Sequence, residues 1–242
     1  RPDTPATAGP ARCLAQSPAM GTTYLVRYGQ ASFGAADYDQ LSPLGVEQCR
    51  RLGRYWRERA VTFDAVLCGS LRRQQQTVAA IAEGLGQPLA PLLWPGLNEY
   101  DSEALLRAIH PAPLPEVDDD ARFKLHFRLL RDALLAWMAG DITPVGLPAH
   151  ADWLAGARAA LDHVTSHHPD ARVLVASSGG PIANLVGQLL GAAPEAVVEL
   201  NLRIRNSAIT ELASSKRGHR LLSFNHLPHL DGPGDTGLHT YT

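Results

Sequence analysis

Cysteine is nearly absent from this chain: Cys13, Cys49 and Cys68 are the three in 242 residues. An odd number cannot pair completely, and their spacing matches no metal-binding pattern. Both facts argue against a disulfide framework and for a reducing compartment, the cytoplasm. Long apolar runs are missing too. The most apolar stretches, Ala133–Ala139 and Val173–Ala176, fall far short of the roughly 20 residues that span a bilayer, so no membrane partner is expected. Nor does one charge dominate, since 22 Lys and Arg stand against 24 Asp and Glu for a net charge of −2. That balance excludes nucleic acid as the main partner, and any phosphate the protein holds must be held locally. Residues 1–19 lack the apolar core of a signal peptide and any helical or strand periodicity. They are read as a disordered extension, with Met20 directly before the first strand-like run as a candidate natural start.

What is present is ordinary globular composition, 45% hydrophobic and 19% charged with 21 Gly and 18 Pro. From Met20 onward, short β-branched runs alternate with helical stretches and no internal repeat interrupts them. This is how a parallel α/β sheet reads. Thr22–Tyr28 is the first strand, and Ser42-Pro43 opens a helix with Ser as N-cap and Pro in the first turn. Leu44, Leu52, Tyr55 and Trp56 give that helix an apolar stripe towards Arg59. Phe63–Cys68, Leu89–Trp94 and Arg172–Ser177 read as further strands. Gly69-Ser70 opens a helix that runs to a Gly84/Gly86 stop, and Gly179-Gly180-Pro181 opens one over Ile182–Leu190. Ser207–Ala213 and Arg220–Phe224 read as a hairpin about the basic turn Ser214–Gly218. Residues 103–150 differ: they are proline-rich, with Asp118–Asp120 capping an amphipathic helix near Ala121–Met138, and a further helix covers Leu147–His167. We read 103–150 as a helical insertion over the pocket of a single domain, 20–242. The expected fold is a three-layer α/β/α sandwich with a mostly parallel sheet.

Open α/β sheets bind ligands beyond the carboxyl ends of their strands. There the first strand delivers Arg27, Tyr28, Gly29 and Gln30, and the second βα turn delivers Gly69 to Arg73. Glu99 follows the third strand, and the late strand ends in Ser177-Ser178-Gly179-Gly180 at a helix start. Two guanidinium groups, free backbone N–H groups on a glycine turn and one carboxylate describe a pocket for a phosphate monoester or another small anion. Arg27, Arg73, Gln30 and Gly179 are the candidate phosphate ligands. Either arginine alone reads as well as a surface ion pair, and it is their convergence at one edge that points to a site.

On these residues the chain resembles the histidine phosphatase superfamily, the phosphoglycerate mutase-like proteins. Leu25-Val26-Arg27-Tyr28-Gly29 fits the Leu-Val-Arg-His-Gly signature in all but one residue. Arg73-Gln74-Gln75-Gln76-Thr77 matches the Arg-x-x-Gln-Thr element, Leu97-Asn98-Glu99 the Leu-x-Glu, and Ser177-Ser178-Gly179-Gly180 the Ser-His-Gly-Gly. Order and spacing agree over roughly residues 20–225. The resemblance implies a nucleophilic histidine at position 28, a second histidine at 178, two arginines neutralising the phosphoryl oxygens, and Glu99 protonating the leaving group. Here Arg27, Arg73 and Glu99 are intact, while Tyr28 and Ser178 stand where the histidines belong.

A phenol is almost wholly protonated at neutral pH, and an aryl phosphate ester is far more stable than a phosphohistidine. The expectation is therefore a phosphate-binding pocket with impaired or absent phosphohistidine catalysis, needing neither metal nor cofactor, in a pseudoenzyme or inactivated variant. Two alternatives stay open. One is an active metal-independent phosphomonoesterase using Tyr28 or another nucleophile; the other is an interaction protein with a vestigial pocket, for which a homodimer through the helical insertion is one arrangement. Weaker readings are a nucleophile elbow at Ser178 with His226, His229 or His239 as base, a metal pair at His163 and His167, and Cys68 as core rather than nucleophile.

Overall fold

Alternate side chains of the central strands feed two separate cores. In β1 (Gly21–Arg27), Val26 joins one core and Leu25 the other. In β2 (Ala65–Cys68), Val66 and Cys68 oppose Leu67, and in β4 (Arg172–Ser177), Leu174 and Ala176 oppose Val173 and Val175. Such strands are apolar on both faces, so each face must be covered by helices. On the first face α1 (Pro43–Glu58) and α2 (Arg72–Leu85) supply Leu52, Trp56, Val78 and Ile81. On the second, α5 (His150–His167) and α6 (Gly179–Leu190) supply Leu154, Leu161, Ile182 and Leu185. The result is the α/β/α sandwich. The computed structural model describes residues 21–32, 39–112 and 119–241, without the side chains of 119, 120, 122 and 123. The expected extension 1–19, Met20 and Asp118 lie outside them.

The sheet has six strands in the order β3-β2-β4-β1-β5-β6, where β3 is Leu92–Leu93, β5 Ile209–Ser215 and β6 Gly218–His226. β3, β2, β4 and β1 run parallel, and β5 and β6 close the far edge antiparallel as a hairpin. Arg27 lies directly opposite Ser177 in the β1–β4 register. That pairing brings the first and last sequence motifs to one edge of the sheet. Among the described residues no helix is long and apolar enough to cross a membrane.

Three local readings change. Gly84 is not a helix stop: it lies inside α2, where a Cβ would stand 2.1 Å from the Arg50 carbonyl oxygen of α1. The stop is Gly86 alone, in the left-handed conformation at φ 77°. Two helices were not anticipated, α3 (Ser102–Ile109) and α7 (Pro194–Arg203). α3 is short, and its N-cap is Asp101, which accepts from the Ala104 amide at 3.0 Å. α7 carries start signals that were there to read, Pro194 in its first turn and Glu195 beside it. With α4 (Asp119–Ala139) these helices form a third core, in which Leu105, Leu130, Leu134, Trp137 and Val198 pack on Tyr100.

Candidate functional site

Each site residue is held by a short bond between strand ends. The Tyr28 amide donates to the Ser177 carbonyl at 3.0 Å, and the Gly29 amide donates to Thr77 Oγ1 of α2 at 3.1 Å. Gln74 ties three loops together: its Nε2 donates to the Leu97 carbonyl and to Ser178 Oγ, both at 2.8 Å. Ser177 Oγ donates to the same Leu97 carbonyl at 2.8 Å. The loop bearing Glu99 is thereby pinned to the start of α6. There the Glu99 carboxylate accepts from the Gly180 amide at 3.1 and 3.2 Å, the favourable place for an anion at a helix N-terminus.

Arg27, Tyr28, Arg73 and Glu99 converge on one cavity of about 460 Å³. Tyr28 is its floor, 3% exposed, with the Arg27 guanidinium carbon 5.2 Å and that of Arg73 4.8 Å from the ring centroid. Both distances are in the range of cation–π attraction. Arg27 Nη1 donates to the carbonyls of Ile204 and Tyr241, while its Nε is buried without a partner among the described residues. A buried donor left open in this way is costly unless a ligand meets it. Arg73 is steadied by Asp39 at 3.0 Å. Enclosure by protein pushes the Glu99 carboxyl above its usual range, against the pull of the Gly180 amide and the two arginine charges. This is the direction a proton donor needs.

The remaining predicted residues are placed differently. Ser178 is the N-cap of α6, yet it is fully buried and its hydroxyl accepts from Gln74 rather than facing the cavity. It is not the exposed serine of an elbow, and two of the three histidines proposed as its base are engaged elsewhere, His229 with Ser207 and His239 with the Leu230 carbonyl. Gly179 opens α6, where a Cβ would lie 2.9 Å from Ile204 and 3.5 Å from Arg27 Nε. Gln30 turns towards α1: its amide donates to Gln48 and its side-chain oxygen accepts from Ser42. It does not line the cavity. His163 and His167 stack on each other on α5, with ring centroids 4.1 Å apart. Burial pushes the Cys68 thiol up to about 12, which leaves it a core residue.

Tyr100, Phe127, Leu130, Asn201, Leu202 and Tyr241 complete the wall, and none was singled out from the sequence. Asn201 Nδ2 donates to the Tyr100 hydroxyl at 2.6 Å, and burial pushes that phenol upward. Tyr241 arrives on the C-terminal segment, which Gln48 holds through the Leu238 carbonyl and Thr240 at 2.8 and 3.0 Å. His126 of α4 also lines the cavity.

Comparison with known proteins agrees with this architecture. The histidine phosphatase superfamily (branch 1) matches residues 23–110 and 123–227. The chain is 31% identical to the 2,3-bisphosphoglycerate-dependent phosphoglycerate mutase of Rhizobium etli over 195 residues, 75% of this chain and 85% of that one. To the enzyme of the same name from a Methylobacterium species it is 30% identical over 192 residues, 74% of this chain and 85% of the relative. Among solved structures, a phosphoserine phosphatase mutant of Entamoeba histolytica in complex with phosphoserine superposes with a TM-score of 0.60 at 19% identity, covering 87% of this chain and 100% of that one. A mycobacterial glucosyl-3-phosphoglycerate phosphatase gives 0.60 at 20% identity, over 85% of this chain and 99% of the other. The chain belongs to the histidine phosphatase superfamily.

Proposed function

We propose that this superfamily member binds free phosphate or a phosphate monoester in the cavity above Tyr28 and does not carry out phosphohistidine chemistry. One observation carries the reading: the Tyr28 ring lies against both Arg27 and Arg73, in the position where the superfamily resemblance puts the nucleophilic histidine. The two guanidinium groups would neutralise phosphate oxygens, with Arg27 Nε as a donor already desolvated and open. Glu99, its carboxyl held towards the protonated form, stands where a leaving alcohol would take a proton. What is missing is an attacking group whose phosphoryl adduct breaks down readily.

The test is hydrolysis of an aryl phosphate, without added metal, by this chain and by a Tyr28→His/Ser178→His double variant. We expect the chain to be silent and the double variant to turn over, although the imidazole at position 178 has to displace the Gln74 amide. Turnover by the unaltered chain overturns the inactivity. Titration with phosphate and vanadate tests the pocket separately: Arg27→Ala should weaken binding by about ten- to a hundredfold, the usual worth of a charged hydrogen bond. No binding by the unaltered chain would refute the pocket.

A second reading has one observation behind it, His126 on the wall of the same cavity. An active phosphomonoesterase would use His126 or Tyr28 as nucleophile. Intact-mass detection of a phosphoryl adduct that vanishes in His126→Asn or Tyr28→Phe would establish it.

A further inference from the structure

The cavity is divided by chemistry. Arg27 and Arg73 flank its floor, whereas Phe127, Leu130, Leu202 and Tyr241 form the apolar part of the lining, beside Ser102, Glu103 and His126. Of the described cations of α4, Lys124, Arg128 and Arg131 line a separate hollow that shares only Phe127 and Leu202 with this cavity. Among the described residues no third Lys or Arg lines it, and besides the tyrosines its other titratable side chains are Glu99, the exposed carboxylate of Glu103 and His126. The Asn201 amide is committed to the Tyr100 hydroxyl. A volume of about 460 Å³ is ample for a phosphate and a ring-sized substituent.

Resting on the phosphate reading above, we propose that the group esterified to that phosphate is apolar and bulky, an aryl or branched aliphatic alcohol. A phosphoglycerate brings a carboxylate besides its phosphate, and beyond the arginines the described lining offers it Ser102 and His126 against the Glu103 charge. One hydroxyl and one imidazole repay only part of its desolvation, and the Glu103 carboxylate repels it. A ring in the same place loses only water. The specificity of the pocket is therefore set by helices α3, α4 and α7 and by Tyr241, at a distance from the motifs that define the phosphate end.

The experiment is isothermal titration of the full chain with inorganic phosphate, benzylphosphonate and 3-phosphoglycerate; the phosphonate cannot be hydrolysed. Benzylphosphonate should bind at least about tenfold more tightly than phosphate, from burial of its ring. 3-Phosphoglycerate should bind no more tightly than phosphate. Leu202→Asn and Phe127→Ser should each reduce the benzylphosphonate-to-phosphate ratio several-fold, with thermal melts showing which variants are folded. If neither variant folds, the ratios of the unaltered chain decide. Preference for 3-phosphoglycerate, or no preference for benzylphosphonate, overturns the apolar assignment while phosphate binding stands. If no ligand binds, or if Arg27→Ala leaves all binding unchanged, the phosphate reading itself falls and the assignment with it.

Discussion

The floor of the cavity and its wall are built by opposite routes. The floor is made of strand ends and helix starts whose residues are locked by bonds to neighbours in the sheet: Tyr28 to Ser177, Gly29 to Thr77, Gln74 to Leu97 and Ser178. The wall is made of side chains from α3, α4 and α7, helices that pack in a core of their own, and from the C-terminal segment held by Gln48. A polar floor with directional bonds tolerates little change in residue type, so it leaves a recognisable motif. An apolar wall needs only volume and shape, and many sequences satisfy that. The difference explains why Arg27, Tyr28, Arg73 and Glu99 could be named from the sequence and the wall residues could not.

The strongest way to break the floor is from below. The Ser207 amide donates to the Tyr28 carbonyl at 3.1 Å, and the Ser207 hydroxyl pairs with His229 Nε2 at 2.9 Å. Burial pushes His229 down to about 3, with the charges of His226, Arg51 and His239 adding to it and Asp235 opposing. The unfolded chain takes up this proton near pH ~6.5, the folded chain only near the depressed value. The contribution of neutral His229 is therefore complete above about pH 6.5 and is lost as pH falls towards 3, on the order of 4 kcal/mol in all. Urea melts from pH 7 to 4 should show stability falling more steeply for the native chain than for His229→Gln. Parallel curves would remove His229 as the cause.

A smaller break strikes the join between the Glu99 loop and α6. A Cβ at Gly180 would lie 2.1 Å from Glu99 Oε1 and 2.6 Å from a Tyr100 ring carbon. Gly180→Ala should cost about 1–3 kcal/mol through overpacking. An unchanged denaturation midpoint would show that the carboxylate moves aside without cost. The least effect is expected on the outer edge of the wall. Glu199 bridges Arg131 of α4 and Arg203 of α7 at the surface, and such exposed pairs are screened by solvent and salt. Glu199→Gln should leave the melting temperature within experimental error. A clear drop would mean that the wall depends on charge as the floor does.

Much of the sandwich was legible from residues alone. β-Branched runs at 172–177 and apolar periodicity at 43–58 are strong local signals, and the observed elements differ from the expected ones mainly at their ends. α7 was missed although Pro194 and Glu195 mark its start, because the segment between α6 and the hairpin has no strong apolar stripe. Gly84 was misread because a glycine needed for close helix packing looks the same as one that ends a helix. Within the site, Arg27, Tyr28, Arg73 and Glu99 were named and do meet in one cavity, whereas Ser178 and Gln30 were named and turn away from it.

By itself the sequence determined the order of the strands, most of the helices between them, and the superfamily. These are properties of residue type and spacing, which local physics reads directly. Only the tertiary structure decided that two guanidinium groups meet at the Tyr28 ring, that Ser178 is buried against Gln74, and that Phe127, Leu202 and Tyr241 line one cavity. Those contacts join segments far apart in the chain, and their partners are chosen by packing, for which sequence proximity holds no record.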